Sequence, residues 1–185
     1  MKTPSYLIIG LLIISMAQEA QAAPRKSPRV VASEFYASVV REDISGLPDE
    51  QEMRALRPYL SLSLRSLLRR ALKTEAEAIR RTPAGDKPPI LEGCLFSCLY
   101  EGPEKFRVSR QRVSGQYAYV KVEQRAGPDE WTDTLILVME RGRWLVWDVR
   151  LGCSRPHMGE PTLRGMIAIP KPAARLNKGM QRTRN

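Results

Sequence analysis

The chain has 185 residues and a formal net charge of +10 at pH 7, a length that fits one domain with a single hydrophobic core. Much of the excess positive charge follows Ser154, where seven Lys or Arg residues accompany one acid, Glu160. A nucleic-acid-binding surface needs cations on a folded element, interleaved with stacking aromatic residues, and no aromatic residue follows Ser154. The composition therefore argues against a nucleic-acid partner and allows a loose attraction to anionic envelope surfaces.

The first 22 residues have the three parts of a secretory signal peptide. Lys2 supplies the positive start, residues 6–16 form an apolar core, and residues 20–22 (Ala-Gln-Ala) form a cleavage site. The apolar run is shorter than the about 20 residues that a membrane-spanning helix needs. We expect cleavage after Ala22, a periplasmic or secreted product, and no transmembrane segment in that product.

Residues 23–29 are predicted to be a linker, and three helices follow it. Val31, Phe35 and Val39 recur at i, i+4 spacing and predict an amphipathic helix over about residues 31–40. Pro48 and the acidic residues after it mark a second, short helix that Pro58 ends. A third helix is predicted from about residue 61 or 63 to residue 81. Residues 82–93 hold three prolines and two glycines and predict an extended loop.

After this loop the apolar period changes from 3.6 to 2 residues. Four strands are predicted, at residues 106–109, 116–124, 132–140 and 144–150, with glycine-containing turns that indicate an antiparallel meander. Helices followed by strands indicate an α+β domain over residues 30–153, with three N-terminal helices packed on a curved, cone-like four-stranded antiparallel sheet. Residues 154–185 are rich in proline and are predicted to be a basic tail, disordered or loosely docked, that folding does not need.

Three strings carry a resemblance to a known family: SGLPDEQEMRALRPYLS, LFSCLYEGPEKFRV and GRWLVWDVRLG. They resemble an uncharacterised group of exported bacterial proteins in the nuclear-transport-factor-2-like, or cystatin-like cone, superfamily. The resemblance covers residues 31–152 and implies a sheet curled around the first helix, with a cone-shaped pocket used for catalysis, binding or dimerisation. This chain has Gly93-Cys94 where relatives have Gly-Asp, and Trp147-Asp148 where relatives have two acids, so it keeps only Asp148 of that pair.

The three cysteines allow several arrangements. In an exported protein we favour one disulfide and one free thiol, with Cys153 bonded to Cys98 or Cys94 in preference to a local Cys94–Cys98 bond. Three free thiols are a second alternative. A third is a zinc site formed by Cys94, Cys98, Cys153 and His157, whose spacings fall within the range of structural zinc sites. We predict no metal and no cofactor.

Parts for the usual kinds of catalysis are missing. The sole histidine, His157, lies in the irregular tail, which argues against Ser/His/Asp and Cys/His sites. The resemblance implies an acid or base inside the cone, for which the candidates are Tyr36, Tyr117, Tyr119, Asp133 and Asp148. We expect each tyrosine to be a core aromatic residue with its hydroxyl at the rim. We expect Asp133 to be solvated at a strand edge and Asp148 to face outward.

Trp144 and Trp147 have opposite parity on the last strand, so they should face opposite sides of the sheet. One should fill the core, and the other should be exposed, cover a partner, or be shielded by the tail or by long side chains.

We predict an exported, non-enzymatic binding or interaction protein that uses the cone pocket or the outer sheet face. Its partner would be a small ligand, a peptide or a second copy as a homodimer, with ligand-contacting candidates Tyr36, Tyr117, Tyr119 and Trp147. The alternatives are a small isomerase, dehydratase or hydrolase with a Tyr/Asp pair, and an envelope immunity or stress factor.

Overall fold

The computed structural model describes residues 25–153 and 161–168. The signal peptide predicted at residues 1–22 and tail residues 154–160 and 169–185 lie outside the described residues. The predicted α+β class is confirmed, because three helices precede four antiparallel strands. The elements are α1 (Pro28–Glu42), α2 (Glu50–Leu56), α3 (Leu62–Arg81), β1 (Lys105–Ser114), β2 (Tyr117–Ala126), β3 (Asp129–Glu140), β4 (Arg143–Arg150) and α4 (Leu163–Ala168).

Each of the three predicted helices begins at an N-cap residue whose side chain accepts a backbone hydrogen bond. The Ser27 side chain accepts a hydrogen bond from the Val30 N–H, with proline at the first helical position of α1. Asp49 and Glu52 form a reciprocal capping box at the start of α2. Ser61 caps α3 through its own side chain. Each helix therefore begins where a local polar residue satisfies N–H groups that the helix leaves unpaired.

The strands form one curved, unclosed sheet in the order β1–β2–β3–β4, with antiparallel neighbours throughout. The register is interrupted in β1 between Val108 and Gln111, and again in the β3–β4 pairing next to Ile136. Such irregularities bend a strand and increase its twist. β1 continues to Ser114, well beyond the predicted end at residue 109, because its exposed second half is held by pairing with β2 and carries no apolar alternation.

The core lies between the helices and the inner face of the sheet. Its largest fully buried side chains come from α1, the α2–α3 region, the loop before β1 and the central strands: Phe35, Tyr36, Leu56, Leu60, Leu64, Leu68, Phe96, Val120, Leu135 and Leu137. Residues 59–61 cover the free edge of β4, where the Val146 N–H donates to the Tyr59 carbonyl at 2.7 Å. The Ser61 N–H in turn donates to the Val146 carbonyl at 2.9 Å.

The first part of the predicted tail differs from expectation. The sequence predicts disorder or loose docking from residue 154 onward, but residues 161–168 are ordered, and the expectation is wrong for this segment. Leu163 is fully buried and Ile167 is 8% exposed, both within the core cluster. The Leu151 N–H donates to the Pro161 carbonyl at 2.9 Å. This hydrogen bond holds the residues just before α4 against the end of β4. A six-residue helix with two core-facing positions is too short to give a recognisable period.

Leu163→Ala should lower the free energy of unfolding by about 2–4 kcal/mol, because it removes a fully buried leucine and leaves a cavity. Urea denaturation of the full chain measures this loss. Leu62→Ala is the matched control, since Leu62 is 51% exposed and should change stability little. Equal losses from the two substitutions would mean that α4 does not contribute to the core.

Candidate functional site

Asp133 is the centre of a buried polar network. Its Oδ1 accepts a hydrogen bond from the Gly152 N–H at 2.8 Å. Its Oδ2 accepts from the Gln124 side-chain amide at 2.7 Å, the Cys98 N–H at 3.2 Å and the Trp131 indole N–H at 3.3 Å. Four donors therefore converge on one carboxylate. They come from β2, from β3, from the loop before β1 and from the segment after β4, and Asp133 links these four segments.

The expectation that Asp133 is solvated is wrong, since the residue has no exposed surface. The register pairs Asp133 with Val122, which places both on the inner face. Burial raises the pKa of the Asp133 carboxyl, and the four hydrogen bonds act in the opposite direction. Gly152 has no room for a side chain there, since a Cβ would lie 1.9 Å from the Thr132 carbonyl oxygen. Glycine at 152 thus allows the close approach that delivers its N–H to Asp133.

Tyr36 joins the same network through Gln124. The Gln124 amide lies 3.4 Å from the Tyr36 hydroxyl oxygen, and the hydroxyl donates to the Phe96 carbonyl at 3.1 Å. Burial, and then the nearby Asp133, raise the pKa of Tyr36 well above its ordinary value, so the hydroxyl keeps its proton. The expected core position of Tyr36 is therefore observed, but the expected rim position of its hydroxyl is wrong, since the residue is fully buried. A Tyr/Asp pair exists on the inner face, but its polar atoms are engaged with groups of the protein itself.

An open cleft of about 490 Å³ lies beside this network at the ends of β1, β2 and β3. Phe106, Gln124 and Trp131 contribute to its lining, together with charged residues of the strand ends. The Oε1 atom of Gln124 is buried and makes no hydrogen bond to the described residues.

The disulfide joins Cys98 to Cys153, which is one of the two pairings of Cys153 that the sequence favours. Cys98 and Cys153 are bonded, with their Cα atoms 5.5 Å apart and a sequence separation of 55. Cys94 is a free, buried thiol, and burial raises its pKa to about 11. Because Asp133 binds the N–H groups of Cys98 and Gly152, one carboxylate holds both segments that the disulfide joins.

The zinc alternative would need three reduced cysteines and His157. Cys98 and Cys153 are instead bonded to each other, and His157 lies outside the described residues. Within residues 25–153 and 161–168, no three His, Cys, Asp or Glu side chains are grouped so that they could hold a metal ion.

Asp148 faces outward, as predicted, but is buried there. Its partner in the register is Ile136, on the face opposite to the buried Leu135 and Leu137, and only 4% of Asp148 is exposed. Its Oδ1 accepts hydrogen bonds from the Val149 N–H at 2.8 Å and the Arg164 N–H at 2.9 Å. Burial raises its pKa, and these hydrogen bonds oppose the rise. The register irregularity next to Ile136 breaks the alternation of β4, and α4 then covers the carboxylate. Asp148 thus attaches the start of α4 to the sheet.

Three of the four predicted ligand-contacting residues come together on the outer face of the sheet. The rings of Tyr117 and Trp147 meet edge to face with centroids 5.9 Å apart. The Arg164 guanidinium lies 4.7 Å from the centroid of the Trp147 ring, and the Arg112 guanidinium lies 5.1 Å from that of Tyr119. Arg164 of α4 therefore shields Trp147, one of the outcomes expected for an outward tryptophan. Trp144 packs against the core, as its opposite parity predicts.

Tyr36 does not join this group. The core positions expected for Tyr117 and Tyr119 are wrong, because the register places both on the face opposite to Ala118 and Val120, whose side chains are fully buried against the helices. Since Tyr36 packs within the core on α1, the sheet separates it from the other two tyrosines. No single pocket therefore unites the four candidates.

Five cations lie together on the outer face, although they are not consecutive in the sequence. They are Lys105, Arg107, Arg112, Lys121 and Arg125, and strand pairing brings them to one side of the β1–β2 ribbon. The one acid among the outward positions of these two strands is Glu123, which is ion-paired with Arg107. The alternation of basic residues in residues 105–112 is the sequence signal that could have indicated this surface. We call these five cations, with Tyr117, Tyr119 and Trp147, the outer-face patch.

Comparison with known proteins identifies no family for this chain. No protein-family model, no curated protein and no solved structure matches it. Membership of the nuclear-transport-factor-2-like superfamily therefore stays a prediction. Among the described helices, none is both long and apolar enough to cross a membrane.

Proposed function

We propose that this chain is an exported, non-enzymatic interaction protein that binds its partner with the outer face of its sheet. The observation that carries the proposal is the outer-face patch, which combines three aromatic side chains with five cations on one surface. Tyrosine, tryptophan and arginine are the residues that contribute most to binding energy at interfaces. The inner face, by contrast, is filled by fully buried core side chains.

Export to an oxidising compartment is the location that best fits the proposal. The tripartite signal at residues 1–22 supports it, and so does a disulfide, because such bonds persist mainly outside the cytosol. A homodimer, a peptide complex and an immunity or stress factor are all forms that such an interaction protein could take.

The enzyme alternative receives less support from the geometry. Both oxygens of Asp133 and the hydroxyl of Tyr36 are bonded to groups of the protein, and neither residue is exposed. A general acid or base must lie within hydrogen-bond reach of its substrate. In this arrangement Tyr36 and Asp133 hold segments together, so we assign them a structural role in the proposed function.

Site-specific photo-cross-linking in the envelope tests the proposal. A photo-reactive residue in place of Lys121, an exposed position in the outer-face patch, should give a discrete ultraviolet-dependent adduct whose mass identifies the partner. The matched control carries the same residue in place of Arg69, which is exposed on α3 away from the outer face. Adducts from Arg69 alone, equal adducts from both positions, or none from either would contradict binding through the outer face.

A further inference from the structure

We propose that the outer-face patch binds the surface of an anionic phospholipid bilayer. This inference rests on the proposed function and names its partner. Its support comes from the charge of the patch, the exposed side chain of Tyr117 and the way arginines cover the aromatic rings.

The charge of the patch is strongly one-sided. Lys105 lies opposite Arg125 in the strand pairing, and both are exposed. Lys105 and Lys121 make no side-chain hydrogen bond or ion pair with the described part of the chain. Two of the five cations have acidic partners: Arg107 is ion-paired with Glu123, and Arg125 lies 4.0 Å from Glu130 on β3. Cations near an anionic leaflet each strengthen binding about fivefold, so several acting together give a useful affinity.

Tyr117 adds an amphipathic side chain to the patch beside the β1–β2 turn, where 39% of the residue is exposed. Tyrosine at a membrane interface places its ring in the apolar boundary while its hydroxyl stays in water.

The covered rings favour phospholipid over single-stranded nucleic acid. Base stacking needs open ring faces, but Arg112 lies over Tyr119 and Arg164 lies over Trp147. Stacking on the rings fixes these guanidinium groups in place. Arg164 also donates from Nη1 to the Ser63 hydroxyl and the Trp147 carbonyl, so Arg112 is the one of the two that presents its guanidinium fork to two phosphate oxygens. The patch therefore presents phosphate-binding groups at its surface and few faces on which a base could stack.

Vesicle co-sedimentation of the full exported chain tests the inference. The probes are vesicles of equal parts phosphatidylglycerol and phosphatidylcholine, and vesicles of phosphatidylcholine alone. We expect binding to the first that exceeds binding to the second by at least tenfold, and loss of the preference in high salt. No binding to the anionic vesicles would overturn the inference.

Matched variants separate the patch from the basic tail and from net charge. Lys105→Gln with Lys121→Gln should weaken anionic-vesicle binding about 25-fold, from two cations at about fivefold each. Arg69→Gln with Lys73→Gln removes the same charge from exposed positions of α3 and should weaken binding less than threefold. Equal losses from the two pairs would overturn the inference. Equal unfolding midpoints establish that both variants are folded.

Two further results separate this inference from the proposed function. Tighter binding of the patch to a single-stranded oligonucleotide than to anionic vesicles, lost in the Lys105/Lys121 pair, would overturn the lipid assignment. A protein adduct at position 121 without vesicle binding would also reject the lipid partner and would leave the outer-face interaction in place. Absence of both adduct and vesicle binding would reject both proposals.

Discussion

Asp133→Ala should destabilise the domain by about 3–5 kcal/mol, the largest effect that we expect from one substitution. It removes the acceptor for four N–H groups, from Cys98, Gly152, Gln124 and Trp131. A buried donor left without a partner costs about 1–3 kcal/mol, and release of the buried carboxylate offsets part of the total. Urea denaturation at pH 7 measures the loss.

Asp129→Ala is the control for this prediction, because Asp129 is an exposed aspartate at the start of the same strand. We expect its effect to stay within about 0.5 kcal/mol. A loss below about 1 kcal/mol for Asp133→Ala would show that the network contributes little to stability.

The pH dependence of Asp133→Asn gives a second measurement of the same network. The pKa of Asp133 is raised in the folded state above its ordinary value of 3.8. Its protonation therefore adds stability that is fully present below that ordinary value and is lost as pH rises through the folded-state pKa. The wild type should lose stability relative to Asp133→Asn between pH 3.8 and pH 7. A relative gain over that range would contradict the raised pKa.

Loss of the Cys98–Cys153 bond should lower the free energy of unfolding by about 2–4 kcal/mol. The bond closes a loop with a sequence separation of 55 residues, and long loops lose much entropy when they are closed in the unfolded chain. Denaturation of Cys98→Ser/Cys153→Ser beside the wild type under non-reducing conditions measures the difference.

Thiol counting provides the control. The unreduced, denatured wild type should show one thiol, that of Cys94. In the folded protein this thiol should react slowly with an alkylating reagent, because it is buried and its pKa is raised to about 11. Three thiols in the denatured, unreduced protein would contradict the disulfide.

Local patterns in the sequence predicted most of the secondary structure. The i, i+4 spacing of Val31, Phe35 and Val39 located α1, and the 2-residue period after the loop located the four strands. The parity of Trp144 and Trp147 correctly predicted opposite faces. These features succeed because helix and strand geometry fix which neighbours in sequence share a face.

The burial of charged residues was not predictable in the same way. Asp133 and Asp148 look like exposed strand residues, since strand periodicity does not show what covers a position. Asp133 is buried by its pairing opposite Val122 and by segments far away in sequence, including Cys98. Asp148 is buried by α4, which lies beyond residues 154–160. Each case depends on a contact that local pattern does not contain.

The sequence by itself determined the order of the elements, the α+β class and the presence of a cysteine pair suited to a disulfide. The tertiary structure alone decided that Cys98 is the partner of Cys153, that α4 joins the core, and that cations of β1 and β2 meet three aromatic rings on one face. The physical reason is that periodicity and capping act within one or two turns of chain. Pairing register and long-range packing place distant residues side by side, and those placements created both the buried network and the outer-face patch.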